Sequence, residues 1–228
     1  MSLTEQREGI EAGRLDMFVD GAFAFILTLL LIGGESIPDS TDKLLHALAG
    51  IPAFAACFYH VAFFWHGHVR WRKRCHVDDV GGRWLSLLLV FFAMIFVYPL
   101  HMVFSGLFSG LSGGVLPSDF RFSGGASDMR TLFACYGLAF ACMAGTLTLL
   151  FRHAAKVSVR LGVDNLGARR ELRVWLVPSL IGLGSALIAL LLPLSAPLWM
   201  WMIPGFMYAL LFLIGPVVGR FDRRYGTA

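Results

Sequence analysis

The sequence predicts an all-α membrane protein with six transmembrane helices, and three observations carry that reading. The first is composition: of 228 residues, 57% are apolar and only 15% charged, too little polar material to cover a water-soluble domain. The second is segmentation. Six apolar stretches, at 15–34, 46–69, 84–109, 129–152, 174–193 and 198–219, each reach the length of about 20 residues that a helix needs to cross a bilayer. The third is the placement of charge. Lys43, Arg121 and Arg130 are the only Lys or Arg in or bordering the first and third loops, and all others fall in the N-terminal region, in or bordering the second and fourth loops, or in the tail. Basic loops stay in the cytoplasm, so this alternation places both termini there and requires an even number of spans. The net charge of +4 then reads as topology and not as nucleic-acid binding.

The first stretch, RLDMFVDGAFAFILTLLLI from Arg14 onward, is a spanning segment with a charged entrance. Asp16 and Asp20 stand four apart and share one helix face. Charge at membrane depth is costly, so both need partners in protein or water. No secretory leader is expected: Arg7 and Arg14 are outweighed by Glu5, Glu8, Glu11 and Asp16, and no small-residue cleavage site follows.

After a short acidic loop, the second stretch ends FYHVAFFWHGHVRWRKR. His60 and His68 lie eight apart near one face, whereas His66 lies on another. No Cys or carboxylate shares zinc-site spacing, so no metal is expected. His60 and His66 read as hydrogen-bonded histidines at a helix end. His68 is the better candidate for a specific partner, because Arg14, Asp16 and Asp20 belong to the same membrane side.

Pro99 interrupts the third stretch, and a loop rich in Gly and Ser follows. The fourth loop, 156–173, is basic, and its VSVRLGVDNLGARRELR predicts a short interfacial helix. The fifth and sixth stretches carry no charge between 174 and 219, contain Pro178, Pro193, Pro204 and Pro216, and include the small-residue run from Gly182 to Ala186. Small residues let helices approach closely in lipid, so these read as scaffold. Cys57, Cys135 and Cys142 fall in apolar stretches and read as packing residues, with Cys75 a free thiol in a basic loop. No internal repeat appears, and 1–228 reads as one domain.

Several function classes find no support. The chain has no TVGYG-type potassium filter, no nucleotide loop, nucleophile elbow or metalloprotease helix, and no polar catalytic pair at membrane depth. It reads as a non-enzyme without a cofactor. Phe25, Leu29 and Ile32, spaced four and three, share a face of the first helix, and taken alone such a stripe means packing. A proton-coupled secondary transporter using Asp16, Asp20 and His68, and a scaffold subunit without transport, stand as alternatives to conduction.

Two elements resemble a known family. Arg14-Leu-Asp-Met-Phe18-Val19-Asp20-Gly21, followed by an apolar run with Thr28, is similar to the Arg-x-x-x-Phe-Ser-Asp signature of the transmembrane protein 175 family, the endolysosomal potassium channels and their bacterial homologues. Trp65-His66-Gly67-His68 resembles the tryptophan–histidine element that ends that family's second helix. Val19 departs from the pattern by standing where the family has Ser. The resemblance implies a potassium-permeable channel in a bacterial plasma membrane: one six-helix unit per chain, a homotetramer, and a pore lined by the first helix of each subunit. It implies a constriction at Phe25, Leu29 and Ile32, and a structural polar lock of Arg14, Phe18, Asp20, Trp65 and His68. Thr28, about 60° around the helix from Phe25, is placed to offer a hydroxyl to a partly dehydrated potassium ion. Partners are then the lipid bilayer and copies of the same chain, with no nucleic acid.

Overall fold

The structure, a computed structural model, describes residues 3–32, 38–75, 79–118, 124–163, 165–215 and 219, and no strand occurs among them. Six helices come first: α1 Leu3–Ile32, α2 Thr41–Ala49, α3 Ile51–Arg74, α4 Val80–Leu111, α5 Ala126–Arg160 and α6 Leu166–Leu191. A run of short turns follows: a 3₁₀ helix Leu198–Met202, then α7 Ile203–Phe206, then a 3₁₀ helix Met207–Leu213. Among the described residues three helices, α4, α5 and α6, are long and apolar enough to cross a membrane, and the bent pair α2 and α3 makes a fourth if counted as one span. The first and last expected spans, 15–34 and 198–219, both run into residues outside the described set, as do parts of the first three loops and the basic tail.

Two expectations about the helices are corrected. The second stretch is not a single rod beginning near 46. It breaks between α2 and α3 with a bend of 47°, and Pro52 sits in the first turn of α3. Proline has no N–H to give the preceding turn but is well suited to start a helix, so the chain restarts there. Ser40 caps α2, its hydroxyl accepting from the Lys43 N–H at 3.3 Å.

Among its described residues the fourth loop holds no separate interfacial helix. Its basic residues instead extend α5 to Arg160 and begin α6 at Leu166. At 1.5 Å per residue the 35 residues of α5 make a rod of about 50 Å, which outruns a hydrocarbon core of about 30 Å. Charged residues at its end therefore mark where the helix enters water, not where it stops. What stops it is local: Gly162 takes φ 72°, the left-handed conformation glycine reaches without penalty. Asn165 then caps α6, its side-chain oxygen accepting from the Ala168 N–H at 2.9 Å.

Packing is led by α4, α5 and α6. The α5–α6 contact depends on two glycines that lack room for a side chain. A β-carbon on Gly137 would lie 2.8 Å from the Ala186 backbone nitrogen, and one on Gly182 would lie 2.8 Å from that of Ala141. The small-residue run thus serves as the seam of a close helix pair. A ring cluster joins α3, α4 and α5, with Phe64 centred 5.8 Å from Phe96 and 5.3 Å from Phe140. Lipid tails are as apolar as these rings, so fit and dispersion, more than water exclusion, favour the packed state. Cys75, expected as a thiol in a basic loop, stands in no disulfide and is buried at the end of α3.

Candidate functional site

The site is α1 together with the ends of α3 and α4 that hold it. Along α1, Val19, Phe23, Ile26 and Leu30 are buried in the core with residues of α3 and α4. Their spacing of 4, 3 and 4 makes a single stripe. The opposite side is open in the protomer: Phe18 and Phe25 are 55% and 53% exposed, Leu29 is half-buried, and Gly21, Ala24 and Thr28 are exposed. Phe25 lies about 160° around the helix from Phe23, so the two phenylalanines serve different faces. The side chain of Ile32 lies outside the described residues. The Thr28 hydroxyl donates to the Ala24 carbonyl at 3.1 Å. Its hydrogen is engaged by its own helix, which leaves its lone pairs free to accept.

Polar ties fix the charged half of α1 to α3. The Trp65 indole N–H donates to Asp20 Oδ1 at 2.7 Å, and Arg72 Nε donates to Asp16 Oδ2 at 3.0 Å. Both are charge-assisted bonds, the stronger kind. The structure brings Asp20 and Trp65 together as a pair. It does not bring Arg14, Asp20 and His68 into one contact. The buried His68 ring instead has Nε2 3.0 Å from Ser86 Oγ on α4. Ser86 donates its one hydrogen to the Gly82 carbonyl at 2.9 Å, so His68 Nε2 carries the proton and is the donor. Helical geometry separates the roles: Trp65 and His68 stand three residues apart, about 60° around α3, and one looks at α1 while the other looks at α4. Between them, Gly67 faces Trp175 and Leu147 so closely that a β-carbon has no place. Arg14 is exposed and makes no ion pair or hydrogen bond among the described residues. Val19, at the family's serine position, is wholly buried and contributes packing there.

The same end of the bundle is tied together by residues in and beside the two basic loops. Glu171 of α6 is fully buried and pairs with Arg70 of α3, with Arg74 Nη2 3.7 Å away. Asp79 caps α4 by accepting from the Gly82 N–H at 2.9 Å and meets His153 Nε2 of α5 at 2.7 Å. Asn165 donates to the Arg74 carbonyl at 3.1 Å. The available signal was the single acid in a strongly basic segment, Glu171 among Arg169, Arg170 and Arg173, since an isolated opposite charge in such a run calls for a buried partner.

Long apolar helices, cross-tied by ion pairs at one end and presenting one helix with an uncovered apolar face, define an all-helical integral membrane protein. A sequence model of the family described as "Endosomal/lysosomal potassium channel TMEM175" matches residues 14–99, which include the Arg14–Asp20 element, the Trp65–His68 element and Ser86. A potassium channel of Marivirga tractuosa is 24% identical over 223 residues, covering 93% of this chain and 88% of that one. Among solved structures, a variant of the potassium channel MtTMEM175, crystallised with a Nanobody-MBP fusion protein, superposes with a TM-score of 0.76 at 22% identity, covering 94% of each chain. The lysosomal potassium-selective channel TMEM175 homolog from Chamaesiphon minutus superposes with a TM-score of 0.59 at 18% identity, covering 91% of this chain and 98% of that one. Residues 14–99 thus carry the sequence pattern of that family, and the likeness in fold extends over nearly the whole chain.

Proposed function

We propose that the protein is a potassium channel that conducts passively through a homotetrameric pore lined by α1 of each subunit. The observation that carries the proposal is the two-sided character of α1. One stripe is buried against α3 and α4, and the other, with Phe18 and Phe25 exposed and Leu29 half-buried, is left largely uncovered by the described residues of the protomer. Four such faces turned inward would give a ring of Phe25 side chains with Leu29 and Ile32 beyond it. A ring of this kind blocks flow by dewetting unless it widens, and it needs no fixed charge to do so. The relatives support the permeant ion, since the similar Marivirga tractuosa protein and both solved structures are potassium channels.

In this reading six spans place both termini in the cytoplasm of a bacterial plasma membrane, with the cross-tied basic end on the cytoplasmic side. The ties of Asp16 to Arg72 and Asp20 to Trp65 hold α1 on α3, and that of His68 to Ser86 holds α3 on α4, all without touching the ion. No enzymatic chemistry and no cofactor are called for, and potassium enters as the transported species.

The deciding experiment is flux from liposomes loaded with potassium. Uptake of a tracer cation down an electrical gradient alone supports the channel. Flux that appears only with an opposing proton gradient supports the carrier that uses Asp16, Asp20 and His68. Absence of flux from a correctly assembled tetramer sinks both.

A further inference from the structure

A groove opens between α4, α5 and α6, with no residue of α1 in its lining and a volume of about 640 Å³. Its walls include Leu88 and Phe92 of α4, Leu149 of α5, and Leu172 and Leu176 of α6. Hydroxyls also reach it, but each is already engaged by a helix carbonyl: Thr146 donates to Cys142 O at 2.8 Å, Thr148 to Ala144 O at 2.9 Å, and Ser179 to Ala141 O at 3.3 Å. The groove therefore offers a guest an apolar length with little demand for hydrogen bonds.

Its mouth is different. Arg152 lines the groove at the end of the bundle where α5 leaves the apolar zone. Lys156, one turn further along α5, shares the same face. Both are exposed, and neither makes an ion pair or hydrogen bond among the described residues. From Arg152 back to Cys142, the deep end of the lining, α5 covers ten residues or about 15 Å. That is half of a hydrocarbon core of about 30 Å, the depth of one leaflet. A groove one leaflet deep, apolar along its length and doubly cationic at its mouth, matches an acyl chain ending in an anionic head.

We propose that this groove is a binding site for an anionic phospholipid, with an acyl chain lying between Leu149 and Leu176 and the headgroup phosphate held by Arg152 and Lys156. A guanidinium suits a phosphate because two N–H donors meet two oxygens, and basic residues near the surface add to binding at short range. The site is separate from α1, so it stands whether or not the conduction proposal does.

The test is native mass spectrometry of the full-length protein in a neutral detergent. It is titrated with phosphatidylglycerol and, separately, with phosphatidylcholine carrying the same chains. Phosphatidylglycerol should bind about tenfold more tightly, and the double variant R152Q/K156Q should lose most of that difference. Arg152→Lys should keep most of it. Lys73→Gln, an exposed charge at the same end on α3 but outside the groove, should leave it unchanged. Leu149→Trp keeps both cations, fills the groove, and should weaken lipid binding severalfold. The proposal is overturned if R152Q/K156Q keeps the preference, or if Lys73→Gln loses as much of it. It is equally overturned if Leu149→Trp binds phosphatidylglycerol like the parent. Loss of subunits from the assembly in R152Q/K156Q without any change in lipid binding would assign the groove to a second copy of the chain instead.

Discussion

Phe23 and Phe25 are two residues apart and identical in chemistry, yet their surroundings assign them opposite roles. Phe23 is 2% exposed, and Phe25 is open on the face that the protomer leaves uncovered. Phe23→Ala should cost about 3–5 kcal/mol through the cavity it leaves, seen as a lower melting temperature in detergent with little change in single-channel current. Phe25→Ala should leave stability nearly intact, raise conductance and weaken discrimination between potassium and sodium in bilayer recordings. Equal current changes in the two variants would show that the pore lies on another face. Thr28→Val keeps shape but removes the hydroxyl's lone pairs, so potassium preference should fall while assembly holds. Asp20→Ala removes the acceptor of the Trp65 indole. Hydrogen bonds to charged groups are worth about 1.5–3 kcal/mol, so this variant should lose tetramer yield on size exclusion more than it alters ion preference. Normal assembly with inverted selectivity would move Asp20 from the scaffold into the ion path.

At the level of elements, α5 and α6 form the tightest pair because Gly137 and Gly182 let backbones touch. A methyl group at either position meets backbone and not a movable side chain, so the helices must separate along their length. Gly182→Ala should cost about 1–3 kcal/mol, and Gly182→Leu should prevent stable folding. Gly184→Ala is a useful contrast, since its nearest neighbour is the flexible end of Met207 and can give way. Limited proteolysis of purified protein distinguishes the three. The tie between α3 and α6 invites a charge test. Glu171→Gln leaves Arg70 and Arg74 without their acid. Because Arg70 is 36% exposed, it can turn toward water, and the loss should be about 1–3 kcal/mol, below that for a fully buried broken pair.

For the whole molecule, the described charges sort by end. Asp16, Arg70, Arg72, Arg74, Asp79, His153 and Glu171 tie α1, α3, α4, α5 and α6 at one end. Asp39 and Lys43 pair at the other. Reporters of cytoplasmic location fused before Met1 and after Ala228 should both be active. An active signal from only one of them would require an odd number of spans and remove the six-span topology. Cross-linking in membranes should give a ladder that ends at four subunits, and a ladder that stops at two would remove the fourfold arrangement of α1.

Much of this could be read from residue order. Helix class, the clustering of charge and the resemblance to a family are local or additive properties: apolar run lengths, counts of Lys and Arg, and two short elements near 14–21 and 65–68. Even the stripe of Phe25 and Leu29 follows from spacing alone. Partners could not be read this way. Asp16 meets Arg72, Trp65 takes Asp20, and His68 turns to Ser86, because a helix rotates its side chains about 100° per residue and several acceptors lie within reach until neighbouring helices are docked. The ends of α5 and α6 were equally hidden, since arginine is a good helix former and nothing in composition separates a helix extending into water from a loop lying there. The sequence by itself determined which surfaces must leave water and which charges must stay near it. Only the tertiary structure decided which face of α1 stays uncovered, because that depends on where α3 and α4 have already filled the space.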